Sequence, residues 1–329
     1  MVNDFLNKKN STRNLTDEEF ASLLPLLAEE LSEIDFRFTF SKDELNRDWD
    51  NLSNFNKEGF YTASTTRVGM KLCEHFFPNF FDIKNNKGES FKDFWNKDDL
   101  QKVLKWNRSS HSTPYMSEIR RGVYFCNGLT KNTMYRPHMA KMICDYYKPK
   151  SVLDPCSGWG GRLLGTIASG ATYTGFETSP ETYDNLKKLI NFLNTENATI
   201  YNVGSENMEF SGGFDLVITS PPYFDLEIYS DNKEQSENRY STYNDWLTYW
   251  LKPVIEKSIL SLNEGGVSCW NVHNIGDYAL IDDVISIHQD NGFVIGEEFG
   301  LTSSARQANQ NQNKNKKKTD ITLCFKKFY

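Results

Sequence analysis

The chain has 329 residues, a formal net charge of -7, 25% charged and 38% hydrophobic residues, and 14% aromatics. That length suits one large domain or two of ordinary size, and the balance is that of a soluble globular protein. The acidic total argues against a body coated all over for nucleic acid, though not against a local basic track, because phosphate affinity depends on where charge sits. The six cysteines (Cys73, Cys126, Cys144, Cys156, Cys269, Cys324) include no Cys-x-x-Cys pair, and the five histidines form no H-E-x-x-H pattern. This spacing argues against a zinc site and for a reducing compartment. No apolar run approaches a membrane span, and MVNDFLNKKNSTRN lacks the apolar core of a signal peptide, so a cytoplasmic location is expected.

Up to about residue 130 the pattern is mainly helical. LTDEEFASLLPLLAEELSEI has apolar residues at helical spacing with Thr16 as N-cap, and ESFKDFWNKDDLQKVLKW has the same character. TTRVGMKLCEHFFPNFF between them is aromatic and interrupted by Gly69 and Pro78. From about 150, strands and helices alternate. SVLDP is a strand, SGWGGRLLGTIAS a glycine turn entering a helix, and ATYTGFE a second strand. SPETYDNLKKLINFLNT is a helix capped by Ser179 with Pro180 first, placing Tyr183, Leu186, Ile190 and Leu193 on one face. ATIYNVG and FDLVITS are the third and fourth strands. DWLTYWLKPVIEKSILSLNEGG is helical despite Pro253, VSCWNV is a fifth strand, and FVIGEEFG and DITLCFKKF close the pattern. Repeated βα units imply a parallel sheet with helices on both faces, and ligands bind beyond the carboxyl ends of its strands.

Three stretches should therefore share one rim. Asp154-Pro-Cys156-Ser-Gly158-Trp-Gly160-Gly161-Arg162 joins strand to helix, where glycines admit a ligand to the backbone and the helix offers free N–H groups. An opening aspartate repels a pyrophosphate but suits a cationic or amino-bearing ligand. Glu177, at the end of the next strand, stands where such folds bind ribose hydroxyls. A ribose plus a positive charge describes S-adenosylmethionine; the plainer reading is that the glycines serve tight packing. The third stretch is Ser220-Pro221-Pro222-Tyr223, which is either a rigid functional corner or a common proline turn.

DPCSGWGGR and TSPPY together resemble the cofactor and catalytic motifs of the exocyclic-amino DNA methyltransferases, over roughly residues 131 to 329. The resemblance implies an α/β fold, a Rossmann-like seven-stranded, mostly parallel methyltransferase sheet behind a mainly helical N-terminal domain (1–130). It implies methyl transfer from S-adenosylmethionine to cytosine N4 or adenine N6 of a flipped base, with Ser220, Pro221, Pro222 and Tyr223 catalytic. Ser220 and the Pro221 carbonyl would accept the amino N–H bonds, and Tyr223 would stack on the base. Asp154, Cys156, Gly158, Gly160, Glu177 and Ser205 would contact the cofactor, the last within Gly204-Ser205-Glu206 beside the adenine. TMYRPHMAKMICDYY resembles the segment closing over the methionine end, with Pro137 and His138 as candidates. A leading serine is seen more among cytosine-N4 enzymes, which slightly favours that base.

SSARQANQNQNKNKKKTD (303–320) carries Arg306, Lys314, Lys316, Lys317 and Lys318 and reads either as an arm following phosphates or as a solvated loop. DLEIYSDNKEQSENRYSTYNDW (225–246) is expected to order around substrate. Arg67, Trp106, Arg108, Arg120 and Arg121 either help read a target or belong to an aromatic core. Unlike the family, the chain shows no obvious target-recognition segment, which leaves RNA in place of DNA, or a silent nucleic-acid-binding subunit, as alternatives.

Overall fold

The computed structural model describes residues 2–6, 8–9, 11–56, 62–64, 66–85, 87–129, 133–207, 212–224, 236–274, 276, 278–302 and 318–328. They form two compact units. One comprises residues 1–38 and 78–133, and the other joins 39–77 to most of the chain from 134 onward. The change of texture near 130 thus marks one boundary, but residues 39–77 pack with the sheet rather than with the helices that flank them in sequence.

The helical unit is built on Asp17–Ser32, Lys97–Ser109 and Met116–Cys126. Thr16 and Glu19 form a capping box that satisfies free N–H groups at the start of the first of these helices. Its core is aromatic: Phe36, Phe81, Phe91 and Trp95 lie with ring centroids 4.9–5.8 Å apart. The arginines considered for target reading are committed here to internal contacts. Arg108 donates to the Leu15 carbonyl (2.8 Å) and Asp17 (2.9 Å) and covers Phe20. Arg120 donates to the Phe36 and Arg37 carbonyls and stacks over Phe38, while Arg121 pairs with Glu118 beside Trp106.

The second unit is organised by one sheet of eight strands. They are β1 (Thr62–Ser64), β2 (Ser151–Asp154), β3 (Thr172–Phe176), β4 (Ala198–Tyr201), β5 (Phe214–Thr219), β6 (Leu262–Asn271), β7 (Phe293–Thr302) and β8 (Lys318–Lys327). The spatial order is β1-β7-β8-β6-β5-β2-β3-β4. β8 runs antiparallel to both β6 and β7; the remaining pairings are parallel. The expected strands form this Rossmann-like sheet, and β1, from the N-terminal half, adds to its edge beyond β7.

From β2 the chain moves outward through β3 and β4, then returns to the other side of β2 as β5. The switch point therefore lies between β2 and β5, where open α/β sheets bind ligands. β5 explains the apolar run in DLVITS. Leu216 and Ile218 pack on one face beside Met139 and Ile143, while Val217 joins Leu153 and Phe176 on the other. Each is fully buried, a contribution of about 1.5–3 kcal/mol apiece.

Helix Pro180–Leu193 is capped by Ser179, whose hydroxyl accepts from Thr182 N, and Pro180 supplies a preset φ. Its inner face is Thr182, Asn185, Leu186, Leu189 and Ile190; Tyr183 and Leu193 sit at the margin instead. Pro253 is accommodated by a change of pitch. Residues Leu247–Leu251 are π-helical, with Lys252 N bonded to Leu247 O, and Pro253 falls in the first turn of Lys252–Leu260. Lacking an N–H, Pro253 cannot bond the Tyr249 carbonyl, which accepts from the Tyr240 hydroxyl at 3.3 Å instead.

Candidate active site

The β2 loop is held from beneath by Asp154, which is fully buried. One carboxylate oxygen accepts from Cys156 N (3.2 Å) and Thr219 Oγ1 (2.8 Å), the other from Arg162 Nε (2.8 Å) and the Tyr173 hydroxyl (2.7 Å). Arg162, also buried, donates in addition to the Cys156 carbonyl and lies over the Tyr135 ring. The expectation that Asp154 meets a charged ligand directly is therefore corrected. Its acceptor positions are occupied by protein groups, and it acts by shaping the loop. Through Thr219 it also ties the end of β2 to the end of β5, one residue before Ser220. No helix-period or strand-period pattern signals this role, although Arg162 stands in the quoted motif.

The glycines divide by function. At Gly158 (φ +54°) a Cβ would make only ordinary van der Waals contacts, with Arg162 at 3.8 Å and the Cys156 carbonyl oxygen at 3.9 Å. Gly160 (φ +72°) is crowded: a Cβ there would lie 2.9 Å from Leu189 and from the Phe77 ring. At Gly161 a Cβ would meet the Tyr135 carbonyl oxygen at 2.0 Å. Gly160 and Gly161 thus serve close packing, whereas at Gly158 the positive φ rather than crowding calls for glycine.

Glu177 follows β3 at the rim and is half-buried. Its carboxylate accepts from Gly158 N (3.1 Å) and Ser179 N (2.8 Å), joining the glycine turn to the next helix. Burial pushes its carboxyl up to about 7, against the pull of those amides. Ser205 is buried, and its neighbour Glu206 accepts from Trp250 Nε1 (3.1 Å) and Arg239, which draws the loop after β4 towards the segment following the corner. Cys156 packs against the apolar cluster that contains Tyr223. Burial, reinforced by Asp154, holds its thiol well above the usual range, so it is no nucleophile. Pro137 and His138 are buried in the helix Pro137–Tyr147, with His138 edge-on to Phe55 (5.5 Å).

The corner itself is rigid. Pro221 and Tyr223 are buried and Ser220 is partly exposed. The Tyr223 hydroxyl donates to the Asn271 carbonyl (3.3 Å) and lies 3.5 Å from Ser220 Oγ. Phe224 adopts φ +34°, a left-handed conformation rare for an aromatic residue, and is held by Tyr243, Trp246 and Tyr278 at 5.8–6.0 Å. His273, just past β6, lies on Tyr223 with ring centroids 4.0 Å apart. Nothing in the sequence pattern marks His273 or Asn271, because both reach the corner from β6.

Of the flanking segments, Arg306, Lys314, Lys316 and Lys317 of the basic arm and residues 225–235 lie outside the described residues. Thr302 ends β7, which runs parallel to the site strands, so its carboxyl end lies on the same rim. Arg67 pairs with Glu74. Among the described residues no group of three His, Cys, Asp or Glu side chains forms a metal site, and no helix is long and apolar enough to cross a membrane.

Comparison with curated proteins gives no match. Among solved structures, an rRNA methylase from Streptococcus thermophilus aligns with a TM-score of 0.39 and 15% identity, over 60% of this chain and 100% of that one. A tRNA (m1A58) methyltransferase, TrmI, from Aquifex aeolicus gives 0.40 and 17%, over 60% and 72%. An O-methyltransferase from a Brevibacillus brevis multienzyme, in complex with S-adenosyl-L-homocysteine, gives 0.36 and 15%, over 50% and 54%. Residues 214–329 match the N6_N4_Mtase family model, described as DNA methylase. This match runs from the start of β5 to residue 329, about a third of the chain.

Proposed function

We propose that this chain methylates an exocyclic amino group of a base in DNA, cytosine N4 slightly ahead of adenine N6. The observation that carries the reading is the Asp154–Thr219 link, which sets the glycine turn beside the Ser220–Tyr223 corner at the switch point. S-adenosylmethionine would supply an electrophilic sulfonium methyl. Glu177 would accept from its ribose hydroxyls, Gly158 would admit it to the backbone, and Cys156 would line its approach. Gly160 would contribute through the turn it shapes, and Ser205 through the loop beside the adenine.

An aromatic amine is a weak nucleophile because its lone pair is delocalised into the ring. Ser220 Oγ and the Pro221 carbonyl would accept its N–H bonds and draw the nitrogen toward tetrahedral geometry, freeing that lone pair. Pro221 and Pro222 fix φ, so the acceptors stay in place, and Tyr223 would offer a face to a flipped base. Alignment of amine and methyl supplies much of the acceleration, and the methylated nitrogen sheds its proton without a strong base. The basic arm, with Arg306, Lys314, Lys316, Lys317 and Lys318, would add salt-dependent affinity for phosphates, in keeping with its anchor on the rim. A cytoplasmic location suits a chain of six cysteines without a disulfide pattern.

Nucleoside mass spectrometry on host DNA and RNA after expression tests this. N4-methylcytosine or N6-methyladenine should appear in DNA and be lost with Ser220→Ala. That variant should lower kcat by about tenfold or more while leaving cofactor affinity unchanged. A methylated amino base confined to RNA would overturn the choice of polymer. Absence of any new mark together with absence of cofactor binding would leave the chain a silent binding subunit.

A further inference from the structure

A carboxylate taken out of water needs donors. The side chain of Glu206, in the turn Ser205–Asn207 after β4, is 6% exposed. Its oxygens accept from the Arg239 guanidinium and from Trp250 Nε1 (3.1 Å), beside a longer bond from Asn207 of its own turn (3.4 Å). Its backbone carbonyl accepts from Lys257 Nζ. Arg239, Trp250 and Lys257 all belong to the stretch that follows the corner: Ser236–Arg239, the π-helical turn Leu247–Leu251 and Lys252–Leu260. The carboxylate also folds back over Gly204, where a Cβ would lie 2.6 Å from it. The shape of this turn, and with it the place of buried Ser205, therefore depends on what holds Glu206.

From Trp250 the contacts continue to the corner. Trp250 stacks on Trp246 (5.3 Å, 21°), and Trp246, fully buried, lies against Phe224 (6.0 Å). Phe224 directly follows Tyr223, and its φ of +34° persists only because its surroundings over-determine it. Trp250 itself sits in a π-helical turn, a device that recurs at functional sites. Resting on the reading above, we propose that Trp250 is a positioning residue for both halves of the site. Its indole N–H fixes the turn beside the cofactor's adenine through Glu206. Its ring, through Trp246, holds Phe224 and so the corner that receives the base. A residue of core packing alone would change the folded fraction and leave each folded molecule with its affinity and rate.

The test uses the full chain as wild type, Trp250→Phe, Trp250→Leu, Glu206→Ala and Trp250→Phe/Glu206→Ala. Calorimetry with S-adenosylhomocysteine gives the affinity, and its stoichiometry counts the folded molecules. Phenylalanine keeps a ring on Trp246 and removes the N–H, so Trp250→Phe should weaken binding by about two- to tenfold, the worth of one such bond. Adding Glu206→Ala should bring the double variant no lower than Glu206→Ala alone, because the indole acts through that carboxylate. Methyl transfer to sheared genomic DNA from a host lacking the protein then separates the two roles. Trp250→Phe should raise KM for S-adenosylmethionine with kcat little changed, whereas Trp250→Leu, which loses the ring, should also lower kcat per cofactor-binding molecule. Wild-type affinity in Trp250→Phe, a fully additive loss in the double variant, or wild-type kcat in Trp250→Leu would each overturn this inference alone. A wild type that methylates neither DNA nor RNA overturns the functional reading and the inference with it.

Discussion

Substitution of Asp154 by asparagine tests the view that this residue builds the site without touching the ligand. Asparagine keeps the size of the side chain but removes the charge facing Arg162, which is 5% exposed in its side chain while that of Asp154 is 0% exposed. Removing one partner of a buried pair leaves the other uncompensated, at about 3–5 kcal/mol. The asparagine amide would also present donors towards Arg162 Nε or the Tyr173 hydroxyl, in place of an acceptor for both. At about 2–4 °C per kcal/mol for a domain of this size, the melting temperature should fall by roughly 6–20 °C. Circular dichroism melts of wild type, Asp154→Asn, Arg162→Met and Asp154→Leu/Arg162→Met would measure it. Both single variants should be strongly destabilised and the double variant much less so, because an apolar pair of similar volume replaces the buried ions. A melting temperature within 2 °C of wild type for Asp154→Asn, alongside lost cofactor affinity in calorimetry, would refute this reasoning and return Asp154 to the ligand.

Glu177 should make cofactor binding pH-dependent. With its carboxyl near 7, the ionised acceptor grows about tenfold between pH 6 and 8, so affinity should rise with pH and flatten in Glu177→Gln. In the unliganded protein the sign is reversed. The folded value lies above the unfolded 4.5, so the stabilising contribution present at low pH fades as pH rises from there towards 7. Thermal melts across that window, with Glu177→Gln as control, read this second slope. His288 gives a separate acid slope: burial lowers it from 6.5 to about 4, so the neutral ring's contribution is full above 6.5 and lost as pH falls toward 4. Denaturant titrations should show a loss of about 3 kcal/mol across that range, absent in a stably folded His288 substitution. Gly161→Ala should cost about 1–3 kcal/mol or more, because its Cβ would collide with the Tyr135 backbone carbonyl; a neutral melt would show that the two helices can separate there.

Much of this architecture is legible in the chain because it rests on local regularities. Short apolar runs mark the strands β2 to β8, Ser179 and Pro180 mark a helix start, and the order of the loops follows from chain order once the sheet is parallel. The parallel sheet and the position of DPCSGWGGR and SPPY on one rim come from those patterns alone. What escaped them depends on partners far apart in sequence. Residues 39–77 join the sheet unit, and β1 adds to the edge of β7, because of packing that no local period encodes.

The acceptors of Asp154 are filled from Arg162, Tyr173 and Thr219, a residue 65 positions away, so a carboxylate that looks available in a motif is spent inside the fold. Gly160 and Gly161 read like ligand-contacting glycines, yet Leu189, Phe77 and Tyr135 determine that they pack. His273 reaches Tyr223 only because β6 lies beside β5, where Thr219 is in register with Trp270. Periodicity determines which face of an element is apolar. Which side chains then meet across elements is decided by the close packing of the interior, where each site is filled once.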